Sequence, residues 1–294
     1  MLKDFRTDLT LERKKIALNS DIDGLDFSEF ELKGARVTRI EITKDEAAEL
    51  LNKPKGKYIT CEVEPFSLNP LLKTSKSDAV SVLLQEFLPK EGCVLVVGLG
   101  NESITPDALG PLTVKKIFVT KHLPERLKAR LGMTRLREVA AMAVGVAGQT
   151  GLEASSIVRA VCRELKPSAV ITVDALAARE LSRLGCTVQI TDTGISPGSG
   201  VGNARSELNQ GSIGTKIISI GIPTVADALT AAAGITDRER EEIEDTANSA
   251  FASLTVTPKE IDSIVARAAS MTALAINCAL QPSLSEMDII ELTQ

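Results

Sequence analysis

The sequence predicts an α/β fold: a mostly parallel sheet with helices on both faces and a small β-rich extension at the N-terminal side. Three observations carry this. From Cys93 onward, short apolar runs rich in β-branched residues alternate with helical patterns, the rhythm of parallel strands joined by crossover helices. The run Val94-Leu95-Val96-Val97 has no polar residue, as a strand buried on both faces requires. Residues 153–165 put Ile157, Val158, Val161, Cys162 and Leu165 on one helical face, and Pro167 stops the pattern.

The elements follow in chain order. Residues 11–18 form a charged amphipathic segment, and residues 21–34 are acidic and irregular, the composition of a loop. Residues 36–42 read as a strand, Thr43-Lys44-Asp45-Glu46 as a capping box opening a helix to Leu51, and residues 58–63 as a strand of period two. These pieces make up the β-rich extension, residues 35–65. Residues 77–88 are helical. Strands are then predicted at 93–97, 117–120, 139–144, 169–173, 187–191 and 216–222. Thr224 with Asp227 can cap one helix, residues 237–254 form a charged one, and Thr257-Pro258-Lys259-Glu260 is a capping box with Pro at the first position. It opens an alanine-rich helix to about Leu280, so 237–280 form a C-terminal helical region.

Composition narrows the function. The chain has 294 residues, 44% of them hydrophobic, with no Trp, one Tyr and seven Phe, so its core is aliphatic. A net charge of −5 leaves no footprint for nucleic acid and suits a basic protein partner. Five scattered cysteines without a Cys-x-x-Cys pair read as buried, reduced thiols in a cytosol-like compartment. The N-terminus is charged from residue 3, unlike a signal peptide, and no apolar run approaches the ~20 residues of a membrane span. The single histidine, His122, lies in a polar stretch just before Pro124 and reads as a surface residue rather than a general base.

The chemistry gathers around residues 94–111, VLVVGLGNESITPDALGP. After the apolar strand, Gly98-Leu99-Gly100-Asn101 breaks the chain sharply. Thr105 and Pro106 then suit a helix N-cap and first turn, with Asp107 behind them and the regular helix starting as late as Pro111. Asp107 therefore stands just beyond the carboxyl end of a buried strand, where open α/β sheets place their sites. On its own it could equally be an acid favoured by the helix dipole. The Gly-x-Gly is a poor dinucleotide fingerprint, since the third glycine and the ribose-binding acid are missing.

Asp174 occupies the equivalent place after the strand 169–173. Each acid alone could be a cap or an ion-pair partner; together, in a chain with one histidine, they suggest a shared task. Two nearby carboxylates resist ionising together, so the pair offers an acid and a base for water attack on an amide. They could instead hold a metal ion through oxygen ligands. A third possibility is a binding module without catalysis. After the strand 187–191 comes a second glycine loop, DTGISPGSGVGN, whose Asp192, Gly198, Gly200 and Gly202 would wall the same cleft with backbone donors. Asn101 belongs to that cleft as well.

Beyond the chemistry of single residues, RTDL, VVGLGN, TPDALGP, TGLE, DALAAR, DTGISPGSGVGN, IGIPTVADA and TPKEID occur in an order that resembles the germination protease of spore-forming bacteria over nearly the whole chain. The resemblance implies an endopeptidase that degrades the small acid-soluble proteins coating spore DNA, acts in the cytoplasm of the spore core, and assembles as a homotetramer. It implies a phosphorylase/hydrolase-like α/β fold akin to hydrogenase-maturation peptidases, and it needs no cofactor or metal. Two family aspartates match Asp107 in TPDALGP and Asp174 in VDALA, which assigns them the catalytic role. Many relatives carry a longer stretch between the segments matching IGIPTVADA and TPKEID, whereas residues 233–256 bridge it here with one charged helix.

Family members are activated by losing a short leader, and their substrates are cut after an acidic residue and before an apolar one. Arg6-Thr7-Asp8-Leu9-Thr10-Leu11-Glu12 has that character, which implies a propeptide at residues 1–8, cleavage between Asp8 and Leu9, and a single peptidase domain at 9–294. The same residues also suit a plain helix cap at Thr7 or Asp8.

Overall fold

A computed structural model describes residues 7–16, 22–67, 75–130, 135–196, 207–236 and 254–293. The parallel half of its sheet consists of β4 (Val94–Leu99), β5 (Val139–Gly145), β6 (Ala169–Ala177) and β8 (Ile217–Asp227). The other half holds β1 (Leu25–Leu32), β2 (Ala35–Ile42), β3 (Gly56–Glu62) and β7 (Thr187–Thr191). Their order is β1-β2-β3-β7-β8-β6-β4-β5, and a short β9 (Thr255–Val256) pairs with β8 on the side. Pairs from β8 to β5 are parallel and pairs from β1 to β8 antiparallel. The sheet is therefore mixed, not mostly parallel. The cause is the link from β6 to β7, residues 178–186, which holds one 3-10 turn and is too short for a right-handed crossover helix.

Alternate residues of the central strands face two cores. Val94 and Val96 of β4, with Ala169, Ile171 and Val173 of β6, face α3 (Ser75–Gln85), α4 (Leu109–Val114) and α10 (Ile261–Leu280). Leu95, Val97, Leu99 and Val170 face α7 (Ala154–Leu165) and α8 (Gln210–Ile213). Two-sided burial explains the continuous apolar runs. Between these elements lie α1 (Thr10–Ile16), α2 (Asp45–Leu51), α5 (Glu125–Arg130) and α6 (Ala147–Thr150); α9 (Ala228–Thr236) and α11 (Glu286–Thr293) complete the described helices. By length and hydropathy α10 could span a bilayer, contrary to the expectation that no apolar run is long enough; its residues are mostly buried inside the fold.

Several local expectations are corrected. Residues 25–32, expected as loop, form the edge strand β1, paired to β2 through a two-residue turn in which Lys33 and Gly34 have φ of 51° and 76°. Positive φ at both turn residues is the hairpin geometry that follows the strand twist. Residues 117–120 form no strand: Thr120 and Lys121 both donate to the Val139 carbonyl, and Ile117 packs into the main core instead. The helix α2 lacks the predicted side-chain cap, because the Thr43 hydroxyl donates to the Gly24 carbonyl. In the same way the Thr257 hydroxyl donates to the Thr224 carbonyl, and α10 starts at Ile261 rather than Pro258. Asp227, not Thr224, caps α9, accepting from Thr230 N and Oγ1. The five cysteines are free thiols, but Cys93, Cys186 and Cys278 are only half-buried. The charged segment 237–253 lies outside the described residues.

Candidate functional site

The loop after β4 is built by close backbone contact. Gly100 has a φ of +107°, and a Cβ there would lie 2.0 Å from the Asp107 carbonyl oxygen. At Gly110 a Cβ would stand 2.3 Å from the Leu99 oxygen and 2.5 Å from the Val173 oxygen. Only glycine lets α4 rest directly on β4 and β6. The residues between, Thr105 to Asp107, form a 3-10 turn with Pro106 in its first positions and no side-chain cap, and α4 begins at Leu109.

Asp107 is half-buried, and its Oδ2 accepts from Asn101 N at 2.7 Å. Asn101 is held in turn, its Oδ1 accepting from Ser103 N at 3.0 Å and from Gln149 Nε2 of α6 at 2.6 Å. Loop and side chain therefore fix each other. Nothing in the sequence context of Gln149 marked it beyond its place beside TGLE.

Asp174 is 4% exposed and lies within β6, which continues to Ala177, rather than after it. The extension arises because β8 also continues, pairing Asp174 with Gly221 and Ala175 with Ile222. Asp174 Oδ1 accepts from Ala175 N at 2.9 Å. Since Val173 also pairs with Gly98 of β4, Asp174 and the loop that carries Asp107 sit at the carboxyl ends of adjacent parallel strands. Among the described residues no group of three or more His, Cys, Asp or Glu is gathered closely enough to hold a metal ion.

The second glycine loop follows β7. Because β7 is antiparallel to β8, Asp192 is level with Ile218, three residues before the Gly221 that pairs with Asp174. Asp192 Oδ1 there accepts from Lys57 N at 2.8 Å, tying β7 to β3. Further along, Ile195 pairs with Leu208 and packs against Leu9 and Leu176, while Gly198, Gly200 and Gly202 lie outside the described residues.

The N-terminal segment docks on the end of β6. Asp8 N donates to Ala177 O and Ala177 N to Asp8 Oδ2, both at 2.9 Å. Leu9 is fully buried against Leu176 and Ala178. Glu12 is buried too, accepting from Arg179 N at 2.7 Å and Glu180 N at 2.9 Å and from the Thr7 hydroxyl. Burial raises its pKa, the three hydrogen bonds work against that, and the nearby Glu180 charge adds to the rise. The sequence marks Glu12 only as a second acid beside the Asp8–Leu9 junction; its burial and its two amide donors were not foreseen.

A family model described as germination protease matches residues 6–239. The chain belongs to the germination protease family. Relatives named germination protease include one from Caldanaerobacter subterraneus subsp. tengcongensis, 38% identical over 98% of this chain and 97% of that protein. Another, from Clostridium perfringens strain SM101, is 37% identical over 97% of each. A Bacillus velezensis relative is 42% identical, but over 79% of this chain and 66% of that longer protein. Membership makes this chain a protease of germination. A hydrogenase maturation protease from Thermococcus kodakarensis aligns at a TM-score of 0.36 and 19% identity, over 66% of this chain and 98% of that one, too loosely to bear on the site.

Proposed function

We propose that this germination protease is an endopeptidase that degrades small acid-soluble spore proteins, with Asp107 and Asp174 activating the attacking water. The observation that carries this reading is that Asp174 directly follows the point where β6 stops pairing with β4, the end of β4 from which the loop bearing Asp107 leaves, in the protease family to which the chain belongs. At such a place one carboxylate takes a proton from water while the other, protonated, serves the carbonyl or the leaving nitrogen. Asn101 N, donating to Asp107 Oδ2, fixes the orientation of that carboxylate. The protein works in the cytoplasm of the spore core as a homotetramer and is made as a zymogen that cuts itself between Asp8 and Leu9. Mild acid favours this cut, since one proton shared by the acidic pair is then better populated.

The deciding experiment is digestion of a purified small acid-soluble spore protein by the purified protease and by its Asp107→Asn variant, each with and without chelator. Cleavage that survives chelation and is lost in the variant supports the reading. Loss on chelation moves the two aspartates to the role of metal ligands, and an active variant removes Asp107 from the chemistry.

A further inference from the structure

We infer that Lys53 and Gln189 form the carbonyl-polarising site for cleavage of the Asp8–Leu9 bond; this rests on the self-processing reading above. The carbonyl of that bond belongs to Asp8, and two side chains converge on its oxygen. Lys53 Nζ donates at 2.8 Å and Gln189 Nε2 at 3.2 Å. Gln189 also accepts from Thr10 N at 2.8 Å, so one amide group spans the junction from the carbonyl to the residue after Leu9. On the other side Leu9 N, the nitrogen that would leave, donates to Thr7 Oγ1 at 3.1 Å. The bond is thus held on both of its atoms, by groups from the turn between α2 and β3, from the middle of β7 and from the segment itself.

The place of these groups on the sheet ties them to Asp174. Gln189 pairs with Gly221 across β7 and β8, and Gly221 pairs with Asp174 across β8 and β6. The three residues form one row on one face, with Gln189 and Asp174 about 10 Å apart at the backbone. The middle residue has no side chain; a Cβ at Gly221 would lie 2.4 Å from Leu176 Cδ1. Leu176, two residues beyond Asp174 and on its side of β6, fills that trough and packs against Leu9. The junction therefore lies on the Asp174 face.

A simple anchor for the segment would need neither donor on this carbonyl, because Leu9 and Glu12 already fix it. Two donors on one carbonyl oxygen, one of them cationic, are what stabilises charge developing there. Enclosure pushes the Lys53 ammonium toward its neutral form while the Asp8 carboxylate acts against this. The step is a hydrolysis. Water oxygen adds to the Asp8 carbonyl carbon and gives up one proton to a carboxylate base, while negative charge gathers on the oxygen facing Lys53 and Gln189. The C–N bond then breaks, the Leu9 nitrogen gains a proton, and the products are the Asp8 carboxylate and the Leu9 ammonium group.

The test follows intact mass and N-terminal sequence of the full chain during incubation at mildly acidic pH, for wild type, Gln189→Glu, Lys53→Met and Lys53→Arg, with thermal melting measured on each. Gln189→Glu keeps the acceptor for Thr10 N and removes the donor to Asp8; it should slow trimming roughly 100-fold. Lys53→Met should do the same and Lys53→Arg should recover most of the rate. Variants that melt lower yet trim at the wild-type rate would make the two residues anchors only and overturn the inference. A wild-type chain that keeps Met1 while digesting substrate overturns the self-processing reading itself, a result distinct from wild type trimming alongside equally fast variants.

Discussion

The hydroxyl of Thr224 donates to the carbonyl of Pro106 at 2.7 Å, so the residue before Asp107 is tied to the strand that pairs with the Asp174 strand. Thr224 is fully buried, and its own carbonyl accepts from Thr257 Oγ1 at 2.9 Å. The chain from Thr257 through Thr224 to Pro106 links the start of α10 to the 3-10 turn of the site. Thr224→Val leaves the Pro106 carbonyl without this donor, at a cost of about 1–3 kcal/mol. The expected result is a lower melting temperature and a kcat reduced about tenfold or more with KM little changed. Thr224→Ser should restore both; a wild-type kcat in Thr224→Val would show that the bond does not position Asp107.

The contact of α4 with the sheet gives a second prediction. At Gly110 an added methyl meets backbone oxygen of both β4 and β6, groups that cannot step aside without opening the sheet. Gly110→Ala should destabilise by about 3 kcal/mol or more. Gly148→Ala, inside α6 with nothing within 4 Å, is the matched control and should be neutral or slightly stabilising. Chemical denaturation of both variants decides it, and equal midpoints would refute the close-packing account.

These contacts bear on how much the chain revealed in advance. The strands β4 and β6 and the helix α7 were legible because burial on two faces or one face imposes an unbroken or a 3.6-residue pattern. The positions of Asp107 and Asp174 near the ends of these apolar runs were legible because the runs themselves are unbroken. The edge strand β1 was not: its residues 26–31 are exposed on both faces, so no alternation marks it, and pairing to β2 together with the packing of Leu25 and Leu32 at its two ends holds it. The direction of β7 was missed although the short link at 178–186 signalled it, since nine residues cannot carry a crossover helix. The contacts of Lys53, Gln189 and Glu12 were invisible for another reason. Their partners stand 45, 181 and 167 residues away, and nothing local requires them.

If Asp107 and Asp174 act as one unit, their substitutions are not additive. Asp107→Asn and Asp174→Asn should each abolish measurable cleavage of a small acid-soluble spore protein, with the double variant no worse than either single one. His122→Ala should keep wild-type activity. An inactive His122→Ala protein of unchanged stability would transfer the chemistry away from the aspartates. Circular dichroism on each variant separates loss of chemistry from loss of fold.

The last prediction concerns pH and Glu12. Its neighbours are the Thr7 hydroxyl, the Arg179 and Glu180 amides, the Glu180 carboxylate, and Arg183, whose Nε lies 3.6 Å from Oε1. Arg183 approaches Glu180 more closely, at 2.9 Å, and also faces Glu62, so its charge is shared among three acids. Burial dominates and raises the Glu12 pKa above the usual carboxylate value. A raised pKa means that folding favours the protonated form. The stabilisation is complete below the unfolded value of about 4.3 and is lost as pH climbs through the folded value. Denaturation measured from pH 4 to pH 7 should therefore show wild type losing stability relative to Glu12→Gln, which has no proton to lose. Glu12→Gln gives up one of the two amide acceptors and starts out less stable, so the slope of the difference, not its size, carries the information. A flat difference, or one rising with pH, would show that the amide donors outweigh burial. A falling difference means that acid tightens the segment that presents Asp8 and Leu9.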